Sequence, residues 1–286
     1  MSTPPRSETR KSATAESLRE HRTTIRSLGA RKRRGERFTM LTAYDYPFAR
    51  IFDEVGIDVL LVGDSLGNVV QGLDNTLPVT LDEVVYHTRM VARAARCALV
   101  VSDMPFGSYQ VCAEDAVRSA LRLVKEGGAH AVKLEGGVSV AGSIRRIVGA
   151  EIPVMGHVGL TPQAIHRMGG YRVQGRGEAE RSRVLDDADA AEDAGAFAVV
   201  LEGMPAELAC EITQRLGIPT IGIGAGVGCD GQVLVMHDLL GLSDGFAPSF
   251  VKQYASLGPL VAQAARSFAD DVANAKFPGP EHSYRS

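Results

Sequence analysis

Residues 113–137 read AEDAVRSALRLVKEGGAHAVKLEGG, and this stretch decides the fold. Over Ala113–Glu126 apolar residues recur at three- and four-residue spacing, the pattern of a helix with one buried face. The pair Gly127-Gly128 follows, where glycine supplies a left-handed helix cap. Then comes Ala129–Gly137, a short apolar run in which Lys133 and Glu135 stand two apart. Side chains alternate along a strand, so these two charges share one face.

The same unit repeats on both sides of this stretch. Short apolar runs rich in β-branched residues fall at Phe38–Tyr44, Ile57–Ser65, Cys97–Pro105, Ile152–Leu160, Ala196–Met204, Ile218–Gly226 and Gly231–His237. Near-continuous apolar runs of this length read as parallel strands buried on both faces. Helical stretches at Leu81–Ala95 and Arg181–Ala194 lie between them, and further glycine turns close at Ala194-Gly195 and Leu216-Gly217. Repeated to eight strands, the alternation predicts an α/β fold of the (β/α)8 TIM-barrel kind, with an open doubly wound sheet as the alternative. The eighth strand carries the weakest pattern. The reading gives one barrel domain over residues 21–286, with an N-terminal helical extension and a C-terminal helix at Leu257–Ala275. That last helix either closes the barrel or packs against a neighbouring subunit. Residues 1–20 are polar and are expected to be disordered.

Composition narrows the function. With 45% hydrophobic and 23% charged residues, the chain can bury a large core. A net charge of −3 gives no global attraction to nucleic acid or membrane. Cys97, Cys112, Cys210 and Cys229 form no CxxC pair, which argues against a zinc site or a disulfide framework. With no apolar signal core and no run long enough to span a bilayer, a cytoplasmic protein is expected. The basic segment Arg31-Lys32-Arg33-Arg34 suits either nucleic-acid binding or a solvated helix end. The neutral-to-acidic whole favours the second.

The chemistry lies in what ends the strands. The second run ends Val62-Gly63-Asp64-Ser65, the third Val101-Ser102-Asp103, and the sixth Val200-Leu201-Glu202; the fifth carries His157. In barrels of this kind the C-terminal strand ends build the active site. Leu60, Val62 and Asp64 share a face by alternation. If that face points inward, four carboxylates and one lysine meet at one mouth. Unpaired buried carboxylates cost several kcal/mol each, so a divalent cation is expected there. All-oxygen ligands select a hard ion, Mg²⁺. Each residue alone has a structural reading: Asp64 or Asp103 as a helix cap, Lys133 as the ion-pair partner of Glu135 or a Schiff-base lysine, His157 as a satisfied core histidine. Charges ending four or five successive strands are harder to explain that way. Gly222-Ile223-Gly224-Ala225-Gly226 suits a phosphate loop or a tight turn equally.

Several of these segments belong to longer motifs. They include Met40-Leu41-Thr42-Ala43-Tyr44-Asp45, Val62-Gly63-Asp64-Ser65-Leu66-Gly67, Ser102-Asp103-Met104-Pro105-Phe106, Val132-Lys133-Leu134-Glu135-Gly136-Gly137, Gly156-His157-Val158-Gly159-Leu160-Thr161-Pro162-Gln163, Gly169-Gly170-Tyr171 and Cys229-Asp230-Gly231-Gln232. Across residues 22–260, and in this order, the sequence resembles the ketopantoate hydroxymethyltransferase family. The resemblance implies a barrel enzyme of pantothenate synthesis that moves a one-carbon unit from 5,10-methylenetetrahydrofolate to α-ketoisovalerate through a Mg²⁺-stabilised enolate. It implies one Mg²⁺ per subunit at Asp64, Asp103 and Glu135. It places Asp64, Ser65, Asp103 and Lys133 on the keto acid and makes Glu202 the proton acceptor. It also implies a homodecamer with exchanged C-terminal helices. His157 is a candidate for orienting substrate or relaying a proton.

Two other readings stay open on the sequence. One is a Mg²⁺-dependent enolate lyase or mutase of the phosphoenolpyruvate mutase/isocitrate lyase kind, which usually carries a reactive cysteine in a mobile loop; Cys97 and Cys112 fall instead at a strand start and in a helix region. The other is a non-catalytic scaffold or nucleic-acid-binding protein using the basic segment.

Overall fold

The computed structural model describes residues 22–243 and 248–284; the polar tail over residues 1–20 lies outside them. Eight strands appear where apolar runs predict them: β1 (Phe38–Thr42), β2 (Val59–Val62), β3 (Leu99–Asp103), β4 (Ala131–Glu135), β5 (Val154–Gly159), β6 (Ala198–Glu202), β7 (Thr220–Ile223) and β8 (Gly231–Leu234). They pair in parallel in chain order and close into a barrel. Closure comes from β1 and β8, with Phe38 opposite Gly231 and Leu41 opposite Leu234. That pairing excludes the open sheet. β8, the weakest pattern in the sequence, is also the loosest strand on its other side, matching β7 only at Ile221–Gly231 and Gly222–Gln232.

Alternation divides each strand between two cores. Phe38, Met40, Val59, Leu61, Leu99, Val101, Ala131, Met155, Ala198, Val200, Ile221 and Val233 fill the bore. The residues between them, such as Leu60, Val62, Val100, Val132 and Leu134, pack outward among the helices. Lys133 and Glu135 therefore share the inward face of Ala131, as expected. Asp64 corrects the expectation: Leu60 and Val62, its face-mates by parity, point outward. β2 ends at Val62, so alternation no longer governs Asp64, and the turn through Gly63 carries it to the mouth.

Local signals fix several helix ends. Thr80 and Glu83 form a reciprocal capping box at Leu81–Ala94, and Asp45 caps Tyr46–Val55. Gly128 and Gly195 take the left-handed backbone (φ 81° and 95°) expected of them. Gly217 does not. The helix Ala206–Arg215 ends at an extended Leu216, and the Gly217 N–H, instead of turning back onto the helix, donates to Glu192 Oε1 at 2.8 Å.

The bore's N-terminal end is plugged by the helix Ile25–Arg34, whose Leu28 is fully buried within the bore cluster. The basic segment is part of this plug. Arg31 pairs with Asp58 at 2.8 Å and Lys32 with Asp230 at 2.9 Å, both just ahead of strands, while Arg34 pairs with Glu36 at 2.7 Å. Three of its four charges are thus tied to the protein's own acids, as the helix-end reading has it. The C-terminal helix Leu257–Ala273 buries no residue and leaves Leu260, Val261, Phe268 and Val272 exposed. It does not close the barrel. Among the described residues no helix is long and apolar enough to cross a membrane.

Candidate active site

The C-terminal ends of β3 to β6 each deliver one or two polar groups into the bore. Asp103 is the last residue of β3, Lys133 and Glu135 share β4, His157 lies in β5 and Glu202 ends β6. Parallel register sets Asp103 beside Lys133 and Glu135 beside His157. These side chains, with Asp64 and Ser65, line one cavity of about 140 Å³, walled by Leu61, Val200, Ile223 and Val233. Every candidate residue read from the sequence is therefore in one place.

The contacts form a chain across the cavity. Lys133 Nζ lies 2.7 Å from Asp103 Oδ1. His157 Nδ1 stands between Lys133 Nζ at 3.3 Å and Glu135 Oε1 at 3.5 Å. On the far side His157 Nε2 comes within 3.1 Å of Glu202 Oε2, but out of line for a hydrogen bond, which leaves this buried nitrogen without a hydrogen-bond partner among the described residues. The Asp64 N–H donates to Asp103 Oδ2 at 3.0 Å, which brings the turn after β2 against the end of β3. Ser65 Oγ shares a 2.8 Å hydrogen bond with Tyr44 Oη.

Burial sets the electrostatics. It pushes the Asp64 carboxyl up to about 8, with the charge of Asp103 adding to the effect. Burial also raises Asp103, against the pull of Lys133. For Lys133 burial works downward, but the surrounding carboxylates, Asp103 foremost, outweigh it and hold the ammonium charged. Burial and Lys133 disfavour the His157 cation, yet Glu135 and Glu202 bring it up to about 9. Burial acts to raise Glu135, and the hydrogen bond from His157 overcomes it, leaving Glu135 below the usual carboxylate range. The upward push on both Asp64 and Asp103 marks a crowding of carboxyls at this end of the cavity.

Sequence reasoning missed the residue that ties the acids together. Gln163 donates from Nε2 to Asp64 Oδ2 at 2.8 Å and to Met104 O at 3.0 Å, and from its N–H to Glu135 Oε2 at 3.0 Å. Its Oε1 accepts from Tyr109 Oη at 2.7 Å. Being neutral, Gln163 and Tyr109 give no charge signal; only the Thr161-Pro162-Gln163 motif marks the glutamine. The glycines in and after β7 sit where a side chain would collide. A Cβ on Gly226 would lie 2.4 Å from that of Ala206, and one on Gly222 would lie 2.9 Å from Cys229 Sγ.

The sequence model of ketopantoate hydroxymethyltransferase matches residues 22–280 of the chain. The chain belongs to the ketopantoate hydroxymethyltransferase family. Within that family it is 59% identical to the 3-methyl-2-oxobutanoate hydroxymethyltransferase of Geobacter metallireducens over 261 residues, covering 91% of this chain and 98% of that protein. Identity to the enzyme of the same name from Syntrophotalea carbinolica is 57%, over 93% of this chain and 99% of that one. As a member of the family the chain is a transferase. Its barrel also matches solved lyases and hydrolases. One is a 2,3-dimethylmalate lyase of the PEP mutase/isocitrate lyase superfamily (TM-score 0.58, 19% identity, 91% of this chain and 93% of that one). Another is a phosphonopyruvate hydrolase in complex with oxalate and Mg²⁺ (TM-score 0.58, 13% identity, 91% and 93%). At such identities the likeness is one of fold. The cavity of this ketopantoate hydroxymethyltransferase-family chain is lined by no cysteine.

Whether the family chain's donors suit a divalent ion depends on which acids are free to serve. Among the described residues no set of three or more His, Cys, Asp and Glu side chains is arranged to hold a metal ion. Asp103 is turned onto Lys133, and Glu135 onto His157 and Gln163. The three-carboxylate ligand set implied by the resemblance is thus not assembled as such. Asp64 and Asp103 stand side by side as two oxygen donors that an ion would take over from their present partners, Gln163 and Lys133. That fits Mg²⁺, which ordinarily uses one or two carboxylates and keeps several waters.

Proposed function

We propose that this protein is a cytoplasmic enzyme that transfers a hydroxymethyl group from 5,10-methylenetetrahydrofolate to 3-methyl-2-oxobutanoate, giving ketopantoate for pantothenate and coenzyme A synthesis. The observation that carries the reading is Glu202 and His157, 3.1 Å apart, in the same cavity as the Lys133–Asp103 pair. A base and a fixed positive charge share that space.

Asp64 and Asp103, with Glu135 nearby, would hold Mg²⁺. When bound, the ion supplies Lewis-acid polarisation of the keto carbonyl. Ser65 and Lys133 bind the keto acid and fix its orientation. Glu202 takes the proton from the carbon next to the carbonyl. Lys133 faces the oxygen on which negative charge grows, and a positive charge fixed in a dry cavity stabilises that charge without reorganising. His157, cationic and 3.1 Å from Glu202 Oε2, sets a positive charge beside the glutamate, and a small turn of either side chain would bring the two into a hydrogen bond. The apolar walls Leu61, Val200 and Val233 keep water from the carbanion until it attacks the folate methylene, presented as an iminium ion; water then displaces the folate nitrogen from that carbon, giving the hydroxymethyl product and tetrahydrofolate.

Support for the folate donor comes from a second cavity of about 680 Å³ that opens over the ends of β4 and β5. It carries Arg167, Arg172 and Arg183 beside Glu180, Asp186 and Asp187. Folate ends in glutamyl carboxylates, which these arginines suit. The bare apolar face of Leu257–Ala273 supports a homo-oligomer, a homodecamer by family resemblance. The test is one assay: 3-methyl-2-oxobutanoate with methylenetetrahydrofolate, with and without Mg²⁺. Turnover that needs all three is expected; turnover without folate would favour a lyase.

A further inference from the structure

Thr76 is buried, at 3% exposure, and lines the reaction cavity. Its hydroxyl has no hydrogen-bond partner among the described residues. Buried hydroxyls are ordinarily paired, because an unpaired one forfeits its hydration with nothing in return. The backbone carrying Thr76 is pinned, so the residue cannot withdraw from the cavity wall. The Leu73 N–H donates to Gly67 O at 2.8 Å and Asn68 Nδ2 to Leu73 O at 2.9 Å. The Leu77 N–H donates to Asn75 Oδ1 at 3.0 Å, and the Val79 N–H to Thr76 O at 3.2 Å. Gly67 packs so tightly beneath that a Cβ there would meet Val79 Cγ2 at 2.7 Å. A donor held this firmly at a cavity wall is preorganised for a ligand.

The polarity of the cavity indicates which part of the ligand. The wall from β3 to β6 is charged and mostly acidic: Asp103, Glu135 and Glu202, with Lys133 and His157. The wall after β2 offers neutral groups beyond Asp64: Ser65, Asn68 and Thr76. An anionic carboxylate is repelled by the acids and accepted by hydroxyl donors. We propose that Thr76 binds substrate, donating its hydroxyl hydrogen to a carboxylate oxygen of the α-keto acid, and that it selects 2-oxo acids over neutral carbonyl compounds. The inference rests on the keto-acid reading above and adds to it a residue and a specificity.

Calorimetry of 3-methyl-2-oxobutanoate with the full-length Mg²⁺-loaded protein tests it, using wild type, Thr76→Val and Thr76→Ser. Thr76→Val keeps the shape and loses the hydroxyl. It is expected to weaken keto-acid binding roughly tenfold, raising KM more than it lowers kcat, while Thr76→Ser stays within about threefold of wild type. In the ligand-free protein Thr76→Val should melt at or above the wild-type temperature, because an unpaired buried hydroxyl is gone. Unchanged binding by Thr76→Val overturns the proposal. So does a valine variant that melts lower or fails to fold, since Thr76 is then structural. If wild type binds Mg²⁺ but no keto acid, it is the keto-acid reading of the site that fails, whatever the variants do.

Discussion

Along β3, Val101 and Asp103 point into the same bore one step apart; along β4, Ala131 and Lys133; along β6, Val200 and Glu202. The lower members of these pairs are buried apolar residues touching Leu28, Phe38 and their neighbours. The upper members are charged: Asp103 is 2% exposed and Lys133 4%, while Glu202 is partly open to the cavity mouth. The lower bore gains free energy from every side chain it removes from water. The upper bore spends it, since charges taken from water recover their hydration only through good pairing. Two layers of one barrel thus divide the work, stability below and chemistry above.

The sharpest way to break this division is Glu202→Gln. It should fold as wild type and still bind keto acid, yet lose about 10²–10⁴-fold in turnover, with the substrate's methine proton no longer exchanging in deuterated buffer. Exchange at the normal rate by NMR would remove Glu202 from the role of base. Next is Lys133→Met, which leaves Asp103 buried beside other acids. A loss of about 3–5 kcal/mol in urea unfolding is expected. The double variant Lys133→Met/Asp103→Leu should recover most of that loss while remaining inactive. A single variant that loses no more than an exposed ion pair would, at about 0–1 kcal/mol, erase the contrast between layers.

In the lower bore, Leu99→Ala should cost about 2–5 kcal/mol through lost burial and a residual cavity. Its activity at low temperature should stay near wild type, because no charged group moves. The smallest effect belongs to His130, at the entrance to β4. Burial holds its pKa below the ordinary histidine value, with Arg22 adding to the depression. Its Nδ1 accepts the Val100 N–H at 3.0 Å. Below its ordinary value the unfolded chain binds the proton and the folded one resists it, so this contribution to stability is complete above about pH 6.5 and is lost as pH falls. Melting temperatures across that window should slope less in His130→Asn.

Much of this contrast was legible in the residues themselves. Alternation correctly paired Lys133 with Glu135, because both lie inside a regular strand. It failed for Asp64, which lies two residues past the end of β2, where a turn through Gly63 resets direction. Gln163 and Thr76 escaped notice for another reason. Neutral polar residues are common in loops, and only the absence or abundance of partners, visible in three dimensions, distinguishes them. The C-terminal helix was readable as a helix; that it buries no residue of its own among the described residues was not.

Local order of apolar, glycine and charged residues determined the eight strands, their helices and the placing of acids at strand ends, since each depends on neighbours within a few positions. Tertiary structure decided the rest: that β8 meets β1, that Asp103 faces Lys133 while Glu135 faces His157, and that Gln163 holds two acids at once. Such pairings join residues far apart in the chain, and their energies exist only once the ring has closed and water has left the bore.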